Sequence, residues 1–382
     1  MNHDCLMESR GDFLAESKIR ILYQKTYKMF EKKYDIHICS ADEVEELVEF
    51  IDTYWQKNHI FTKSRELLNW QHFDKINKQY NFVIAKDKSN GQIHGIIGFI
   101  ISSLYDHNIT KPIRWGAIWK VRDDIPAHGL GIALKGYMEL YAPASFAGGV
   151  GLSEYSKKID EKLGEKMGEL KQYYILNEKI KDYKLIKKID NNESMFSRPV
   201  DKMQIKEDTM KRIMEEGREY FSQCMPYKSI EYYIERYANH PIYQYHFSEL
   251  LDINLKAQAM IVWRKASHKE SSCIMIVDFI GNRTALIGHY KSFQNLLVKE
   301  NSEYIIFPCD GIDENIMIEA GFLVRDIASI VLPVYYEPFE QKNVSLCYHF
   351  YQTGECGYED VEYIFVKGDS DQDRPNRLPE EL

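Results

Sequence analysis

The sequence contains no apolar run that approaches the roughly 18–20 residues needed to cross a bilayer. Its first residues also lack an apolar h-region and a small-residue cleavage site, so they do not form a secretory signal. The seven cysteines are odd in number and scattered, which fits reduced thiols better than a disulfide framework. Together these absences predict a cytoplasmic protein without structural disulfides.

Basic residues are also fewer than acidic ones: the sequence has 49 Lys and Arg residues and 58 Asp and Glu residues, which gives a formal net charge of −9. Such a balance disfavours broad contact with nucleic acid or anionic lipid. No Ser-His-Asp order, paired-carboxylate motif or Walker-type loop is present either. We therefore expect no large polyanion such as nucleic acid as a partner, while the sequence gives no indication of the oligomeric state.

What the sequence does contain is an internal repeat. Lys63-Ser64-Arg65-Glu66 recurs as Lys228-Ser229-Ile230-Glu231, and Tyr80-Asn81-Phe82 recurs as Tyr245-His246-Phe247. Both pairs have the same offset of 165 residues, from 63 to 228 and from 80 to 245. With 382 residues, enough for two ordinary domains, the chain is predicted to hold two copies of one domain.

Each copy has the same predicted order of helices and strands. Ser64 and Ser229 are predicted helix N-caps with an acid in the first turn, and Ser40 with Glu43 forms a capping box. The predicted elements of the first copy are a helix over residues 41–56 and strands over 81–85, 94–102, 114–121 and 144–150. Those of the second copy are a helix over 206–222 and strands over 243–250, 257–264, 272–279 and 304–308.

This order predicts a mixed α/β fold of two tandem domains, each with a mixed, mostly antiparallel sheet flanked by helices. A charged stretch over residues 179–207 has no clear core face and fits a linker. The expected division is an N-terminal extension at 1–33, a first domain at 34–180, linker and first helix of the second domain at 181–221, a second domain at 222–367 and a polar tail at 368–382, for which disorder is expected over docking.

The clearest local signal lies between Val121 and Leu134, where a strand leads into a glycine loop and then an apolar helix. A glycine-rich helix start leaves several backbone N–H groups unpaired at the positive end of the helix, where a pyrophosphate fits. Glycine allows close approach of the ligand because it has no Cβ. The alternative is an ordinary tight connection between a strand and a helix.

His128-Gly-Leu-Gly131-Ile-Ala133 resembles the GNAT superfamily motif of Arg or Gln, two residues, Gly, one residue, and Gly or Ala, whose amides bind the pyrophosphate of acyl-CoA. His128 departs from the motif's first position. Met317-Ile-Glu-Ala-Gly321-Phe322 is similar to the closing segment of that fold, and Gly164–Gly168 is matched to it in the first copy. The resemblance implies tandem GNAT domains of the kind associated with bacterial surface-polysaccharide sugar biosynthesis, of which the second lacks the phosphate loop.

The resemblance also implies a set of site residues. Backbone groups of the long strand would hold the acyl-CoA together with the glycine loop: Ile118, Trp119, Lys120, Val121, His128, Gly129, Leu130, Gly131, Ile132 and Ala133. The general acid of the family, a tyrosine four residues before the final glycine, is missing, since this chain has Gly164 and Met317 there. Tyr155, Tyr173, Tyr174 or solvent are the candidate substitutes.

For the base that accepts the ammonium proton, His59 and Glu154 are the catalytic candidates, although either has a structural alternative. Cys347, His349 and Cys356 have metal-ligand chemistry but match no closed zinc pattern, so no metal is expected. Asp278 ends a strand, and a buried capping role is expected for it.

The function that follows is an acyl-CoA-dependent N-acyltransferase with acetyl-CoA or another acyl-CoA as co-substrate. The resemblance implies an acceptor amine on a nucleotide-linked sugar or related glycan precursor. The alternatives are a Fem-type ligase that takes aminoacyl-tRNA, and a non-catalytic binding protein that retains the fold. The acidic balance and the intact loop favour the transferase over the ligase.

Overall fold

A computed structural model describes residues 21–188, 203–223, 226–352 and 363–381. Within these ranges, no helix combines the length and apolar character that a membrane span requires. Residues 1–20 of the predicted N-terminal extension, residues 189–202 of the predicted linker, and Cys5, Cys224, Cys356 and Leu382 lie outside the described residues.

The described residues fall into two compact units. The first contains residues 21–167, 349–352 and 380–381, and the second contains 168–188, 203–223, 226–348 and 363–379. The chain therefore passes between units at residue 168, whereas the sequence placed the end of the first domain at 180. The residues that close the chain contribute to both units.

The sheet of the first unit has eight strands, which are β1 Tyr34–Ser40, β2 Phe73–Asp74, β3 Gln79–Asp87, β4 Ile93–Ile101, β5 Ile113–Val121, β6 Phe146–Val150, β7 Lys166–Glu169 and, from late in the chain, Cys347–Gln352. Its helices are α1 over residues 21–30, α2 Val44–Phe50, α3 Ile60–Lys63, α4 Arg65–His72, α5 Leu130–Tyr141 and α6 Glu154–Lys162, with 3-10 turns at Ala41–Glu43 and Ser102–Leu104 and a π turn at Ile51–Trp55.

The sheet of the second unit also has eight strands: β8 Lys171–Leu176, β10 Gln204–Asp208, β11 His246–Leu251, β12 Ala257–His268, β13 Ser271–Gly281, β14 Tyr304–Asp310, β15 Leu323–Val324 and β18 Phe365–Val366. A separate pair joins β9 Lys187–Lys188 to β16 Ile330–Val331, and Cys347–Gln352 is β17. The helices are α7 Met210–Glu216, α8 Ile230–Tyr233, α9 Tyr290–Lys299 and α10 Glu314–Glu319, with 3-10 turns at Glu219–Gln223, Arg283–Leu286 and Pro379–Glu381 and a π turn at Ile234–Ala238.

The two sheets have matching strand orders. The first runs β1-β3-β4-β5-β6-β17-β7, with β2 added to β3, and the second runs β10-β11-β12-β13-β14-β8-β15, with β18 added to β14. In each sheet most neighbours are antiparallel, but β5 pairs with β6 and β13 with β14 in parallel. The predicted mixed α/β class, with two mostly antiparallel mixed sheets flanked by helices, is confirmed.

The matching orders reveal a reciprocal exchange of one strand. β8, which follows β7 directly in sequence, lies next to β14 in the second sheet. β17, which comes from the second half of the chain, takes the equivalent position next to β6 in the first sheet. Each sheet is therefore completed by a strand from the other half of the sequence.

The caps predicted from the sequence are present. The Ser64 hydroxyl accepts a hydrogen bond from the Leu67 amide at 3.1 Å, and the Ser229 hydroxyl accepts one from the Tyr232 amide at 3.1 Å. The Glu43 carboxylate accepts from the Ser40 amide at 3.0 Å, as a capping box requires. Each such cap contributes about 0.5–2 kcal/mol to helix stability.

Two elements differ from the sequence prediction. The helix expected over residues 206–222 begins only at Met210, because Gln204–Asp208 forms β10 and pairs antiparallel with β11. The equivalent strand β1 of the first unit was also missed. Both are edge strands whose hydrogen bonds go to a partner some 45 residues away, and local periodicity does not report such pairing.

The expected polar tail is a second difference. Lys367, Asp369, Ser370 and Asp373 are at most 4% exposed, so the structure buries this segment in the second unit. Polar residues are buried when they are paired, and the partners of these side chains come from distant strands that sequence spacing does not identify.

Candidate functional site

The first unit has an open strand edge next to its parallel strand pair. β5 pairs with β6 only from Ile113 to Trp115, although β5 continues to Val121. On its other side, β5 carries a bulge, since Ile97 pairs with Trp119 and Phe99 with Gly116, which leaves one extra residue on β5. The strand thus bends and leaves its edge beyond Gly116 without a strand neighbour among the described residues.

The predicted loop follows this strand directly. Gly129 has φ of +91°, a left-handed conformation that glycine adopts without strain, and it precedes α5. Leu130 and Ala133 are both fully buried in the core cluster that joins α5 to the sheet. The helix start is therefore fixed in place by packing of its apolar side chains.

The backbone amides of this turn fall into two groups. Those of Ile132 and Ala133 donate to the Gly129 carbonyl at 3.1 Å, and that of Leu130 donates to the Ala127 carbonyl at 3.1 Å. In the part of the chain that the structure describes, the amides of His128 and Gly131 and that of Gly129 have no hydrogen-bond partner. Unpaired N–H groups at the positive end of a 12-residue helix attract an anion.

The basic side chains around the loop are already paired. The Lys120 ammonium lies 2.6 Å from the Asp123 carboxylate, and the Arg122 guanidinium lies 2.7 Å from that of Asp124. Attraction of an anion therefore depends mainly on the backbone amides of the turn and on the helix dipole.

Gly131 has a second reason to be glycine. A Cβ at this position would lie 3.2 Å from the indole nitrogen of Trp119 and 3.5 Å from its ring. The Trp119 side chain thus packs against the loop.

Below the loop, α5 carries a buried ionic cluster that the sequence did not predict. The Lys135 ammonium lies 3.2 Å from Asp160 and 2.8 Å from Glu165, and all three side chains are at most 5% exposed. His349 of β17 hydrogen-bonds to Glu165. Gly149 makes room for the His349 ring, since a Cβ there would lie 2.8 Å from its Nε2 atom.

The pKa values of the two acids in this cluster shift in opposite directions. Burial raises the pKa of Asp160, and Lys135 offsets this only in part. Burial would also raise the pKa of Glu165, but Lys135 and the hydrogen bond from His349 outweigh it and lower that pKa to about 2. The pKa of Lys135 rises above its ordinary value, because the attraction of the carboxylates exceeds the effect of burial.

Asp160, Glu165 and His349 also have the arrangement of a metal site, since one ligand atom from each lies within 4.8 Å of the others. The Lys135 ammonium already bridges the two carboxylates. A divalent cation would have to displace or repel this ammonium, so the arrangement is that of an ion-pair cluster.

A second buried ionic group lies at the far end of α5. Arg114 of β5, which is 1% exposed, forms an ion pair with Glu139 at 2.5 Å and donates to the Met138 carbonyl at 3.3 Å. The Tyr351 hydroxyl of β17 accepts from Arg114 at 3.0 Å and donates to Glu139. The exchanged strand is thereby joined to the helix that carries the loop.

The two predicted catalytic residues lie in different surroundings. The His59 ring is fully buried, caps α3 by accepting from the Phe61 amide at 3.3 Å, and packs edge-on against the Phe61 ring. Glu154 begins α6 after the Ser153 cap and is exposed. Asp278, expected to be buried, is fully buried and accepts from Lys228 at 2.8 Å.

The structure changes the match between the closing segments of the two copies. Gly164 follows α6 with φ of +77°, and Gly321 follows α10 with φ of +93°, each two residues before a strand. Gly164, rather than Gly168, is therefore the counterpart of Gly321. The position four residues earlier is Asp160 in the first unit and Met317 in the second, and Tyr173 and Tyr174 belong to β8 of the second sheet.

Comparison with known proteins gives a fold. No protein-family model matches the chain, and no curated protein matches it either. A GCN5-related N-acetyltransferase from Anabaena variabilis is 10% identical with a TM-score of 0.51, and the match covers 86% of this chain and 75% of that one. A protein of unknown function from Enterococcus faecalis, described as a probable N-acyltransferase, is 12% identical over 82% and 72% of the two chains with a TM-score of 0.49.

N-myristoyltransferase from Saccharomyces cerevisiae is also similar, at 7% identity and a TM-score of 0.41 over 84% of this chain and 79% of that one. The likeness to the Anabaena protein, together with the two sheets described above, confirms the predicted GNAT-like fold in two domains.

Proposed function

We propose that this chain, whose two domains have the GNAT-like fold, is an acyl-CoA-dependent N-acyltransferase with acetyl-CoA as the expected co-substrate. One observation carries the proposal. Within the described ranges, the amides of His128, Gly129 and Gly131 are unpaired at the start of α5, and the bulged strand before them has a free edge beyond Gly116. A ligand with an anionic group and an extended chain would fit here, because the helix start can bind the anion and the strand edge can bind the chain.

In this proposal the pyrophosphate of the co-substrate binds the three amides, and Ile132 and Ala133 support them by closing the first helical turn. The backbone from Ile118 to Val121 holds the thioester arm and polarises its carbonyl oxygen. The acceptor amine forms the new N–C bond, the C–S bond breaks, and the thiolate takes its proton from solvent.

The proton that leaves the ammonium needs an acceptor. Glu154 remains the proposed base, because it is exposed at the start of the helix that follows β6. His59 was the other candidate. Its ring is buried and caps α3, so it would have to leave this position to reach a substrate. Asp160 stands where the fold's proton donor is expected and adds a second carboxyl group to test.

For the acceptor we propose the amino group of a nucleotide-linked sugar or a related glycan precursor, as the resemblance of the loop and repeat implies. A binding protein without turnover is the second candidate. It is favoured by the buried state of His59 and by the absence of a tyrosine at residues 160 and 317.

Binding of acetyl-CoA to the full chain, measured by calorimetry and by thermal shift, tests the proposal. Ligand binding should raise the melting temperature through mass action. Gly131→Glu should weaken binding by at least about 100-fold, because it puts a carboxylate beside the anion site. Thr284→Glu, an exposed position that follows the equivalent strand β13, is the matched control and should bind normally.

Absence of binding by the unmodified chain, or equal binding by the Gly131→Glu variant, would refute the proposed site. Turnover is measured separately as release of free CoA thiol with nucleotide-linked amino sugars as acceptors. Binding without turnover on any amine favours the binding protein, and turnover that requires aminoacyl-tRNA favours the Fem-type ligase.

A further inference from the structure

The two parallel strands β13 and β14 of the second unit separate in the same way as β5 and β6 of the first. β13 and β14 pair in parallel only at Ile274 with Ile305 and Met275 with Ile306. β13 also carries the equivalent bulge, because Val262 pairs with Asp278 and Trp263 with Ile276, which leaves Val277 as the extra residue. The geometry that makes an extended ligand site in the first unit is therefore repeated.

In the second unit this edge is occupied by the chain itself. Phe365 and Val366 pair antiparallel with Asp310 and Cys309 on the edge of β14 that β8 leaves free. The Gly368 amide then donates to the carbonyl of the bulge residue Val277 at 2.8 Å. The segment thus adds to both separated strands, as a peptide does in strand addition.

The fit at Gly368 is close enough to require glycine. A Cβ there would lie 2.4 Å from the Tyr237 hydroxyl oxygen and 2.6 Å from the Val277 carbonyl oxygen. Both neighbours belong to the core of the unit and are buried, so neither is the free end of a flexible side chain. A larger residue would push the segment away from β13.

Two acidic side chains of the segment are paired with buried cations. Asp369 lies 2.9 Å from the Lys228 ammonium, and Asp373 lies 2.8 Å from the Arg264 guanidinium. The Tyr245 hydroxyl also donates to Asp373 at 2.8 Å. All these side chains are at most 8% exposed, so removal of the segment would leave two buried cations with fewer partners.

We propose that the cleft of the second unit is a peptide-binding site whose ligand is residues 365–373 of the same chain, and that this segment excludes acyl-CoA from that cleft. The occupant is an extended peptide, read by backbone pairing and by two acid-selective pockets around Lys228 and Arg264. The chain then takes up one acyl-CoA in the first unit. The occupancy of the second cleft is independent of the proposed function. The expected stoichiometry of one acyl-CoA per chain rests on that function.

Hydrogen exchange of the full chain, followed by mass spectrometry of peptides that cover residues 363–376, tests the occupancy. We expect these amides to exchange at least about 100-fold more slowly than an unstructured peptide, as for the buried strands. Gly368→Ala and Asp373→Asn should each accelerate exchange in this segment. Asp371→Asn is the control, because Asp371 pairs with Arg374 within the segment at 2.9 Å.

Exchange at the unprotected rate in the unmodified chain would overturn the proposal. A calorimetric stoichiometry of two acetyl-CoA molecules per chain would overturn it as well, and a stoichiometry of one is expected. A stoichiometry of zero would refute the proposed transferase function, while slow exchange would still support the peptide in the second cleft.

Discussion

Each unit buries one lysine between two carboxylates, and the two clusters differ in what they hold together. Lys135 of the first unit lies between Asp160 and Glu165, and His349 of the exchanged strand binds Glu165. Lys228 of the second unit lies between Asp278 and Asp369 at 2.8 and 2.9 Å. In both cases, a residue from late in the chain meets residues from the main segment of the unit.

The two units differ in whether the late residues cover the strand edge beside the parallel strand pair. In the first unit the late residues form a full strand on the far side of β6, and no strand in the described part of the chain covers the edge of β5 beyond Gly116. In the second unit Asp369 belongs to the segment that fills the edge itself. The same fold and a similar buried charge are thus compatible with an open cleft or with a closed one.

The largest expected effect comes from removal of either buried lysine. Lys135→Met and Lys228→Met each leave two carboxylates buried without their cation, which should reduce the free energy of unfolding by about 3–5 kcal/mol. Equilibrium unfolding in urea measures this loss. Lys211→Met, at an exposed position on α7, is the control and should change stability little.

The comparison between the clusters also predicts where the loss appears. Lys228→Met should increase hydrogen exchange in residues 363–376, while Lys135→Met should increase it in β17. A loss below about 1 kcal/mol for both variants would mean that neither cluster holds its late segment in place.

A smaller effect is expected from pH, and it involves the second unit. His240 is partly buried, and this loss of hydration lowers its pKa to about 3, with Arg236 adding to the effect. Because the unfolded chain binds a proton near pH 6.5 and the folded chain does not, stability is complete above pH 6.5 and falls as the pH drops toward 3. Protonation of this group alone should lower the free energy of unfolding by about 3–5 kcal/mol at the acid end of this range.

His240→Asn tests this pH dependence. The Nδ1 atom of His240 accepts from the amides of Ile242 and Tyr243 at 3.0 and 2.8 Å, and an asparagine oxygen retains this acceptor without titrating. Denaturant midpoints between pH 7 and 4 should therefore fall less steeply in the variant. An unchanged slope would show that other groups dominate the acid response.

The smallest expected effect concerns the hydroxyl group of Tyr351. Tyr351→Phe removes the group between Arg114 and Glu139 but keeps the ring in place, so the expected loss is about 1–2 kcal/mol. Tyr155→Phe, at a side chain that is 77% exposed, is the matched control. Equal unfolding free energies for the two variants would argue that the ion pair of Arg114 with Glu139 holds β17 without the tyrosine.

Features encoded by nearby residues could be read from the sequence. The caps at Ser64 and Ser229, the capping box at Ser40 and the central strands were all predicted, because each depends on residues within one turn or one strand. The 165-residue offset further identified the two copies. The turn at Gly129 was located from its glycines, and its left-handed φ agrees with that prediction.

Features that depend on distant partners could not be read in this way. β1 and β10 were missed at the edges of the sheets. The tail from residue 368 was expected to be disordered, because Lys228 and Arg264, the buried partners of its acids, lie more than 100 residues away. The cluster around Lys135 has the same character. The shift from Gly168 to Gly164 required the backbone angle after α6, which spacing alone did not give.

The exchange of β8 and β17 has a consequence for synthesis of the chain on the ribosome. When residues up to 170 have emerged, the first sheet still has β7 without the strand that should separate it from β6. That strand ends at Gln352, so the nascent first unit exposes a gap in its sheet until residue 352 has been translated. The last strands of both sheets thus come late in the chain, so that residues 34–366, and not the single repeat, are the smallest piece that contains every strand of the two sheets.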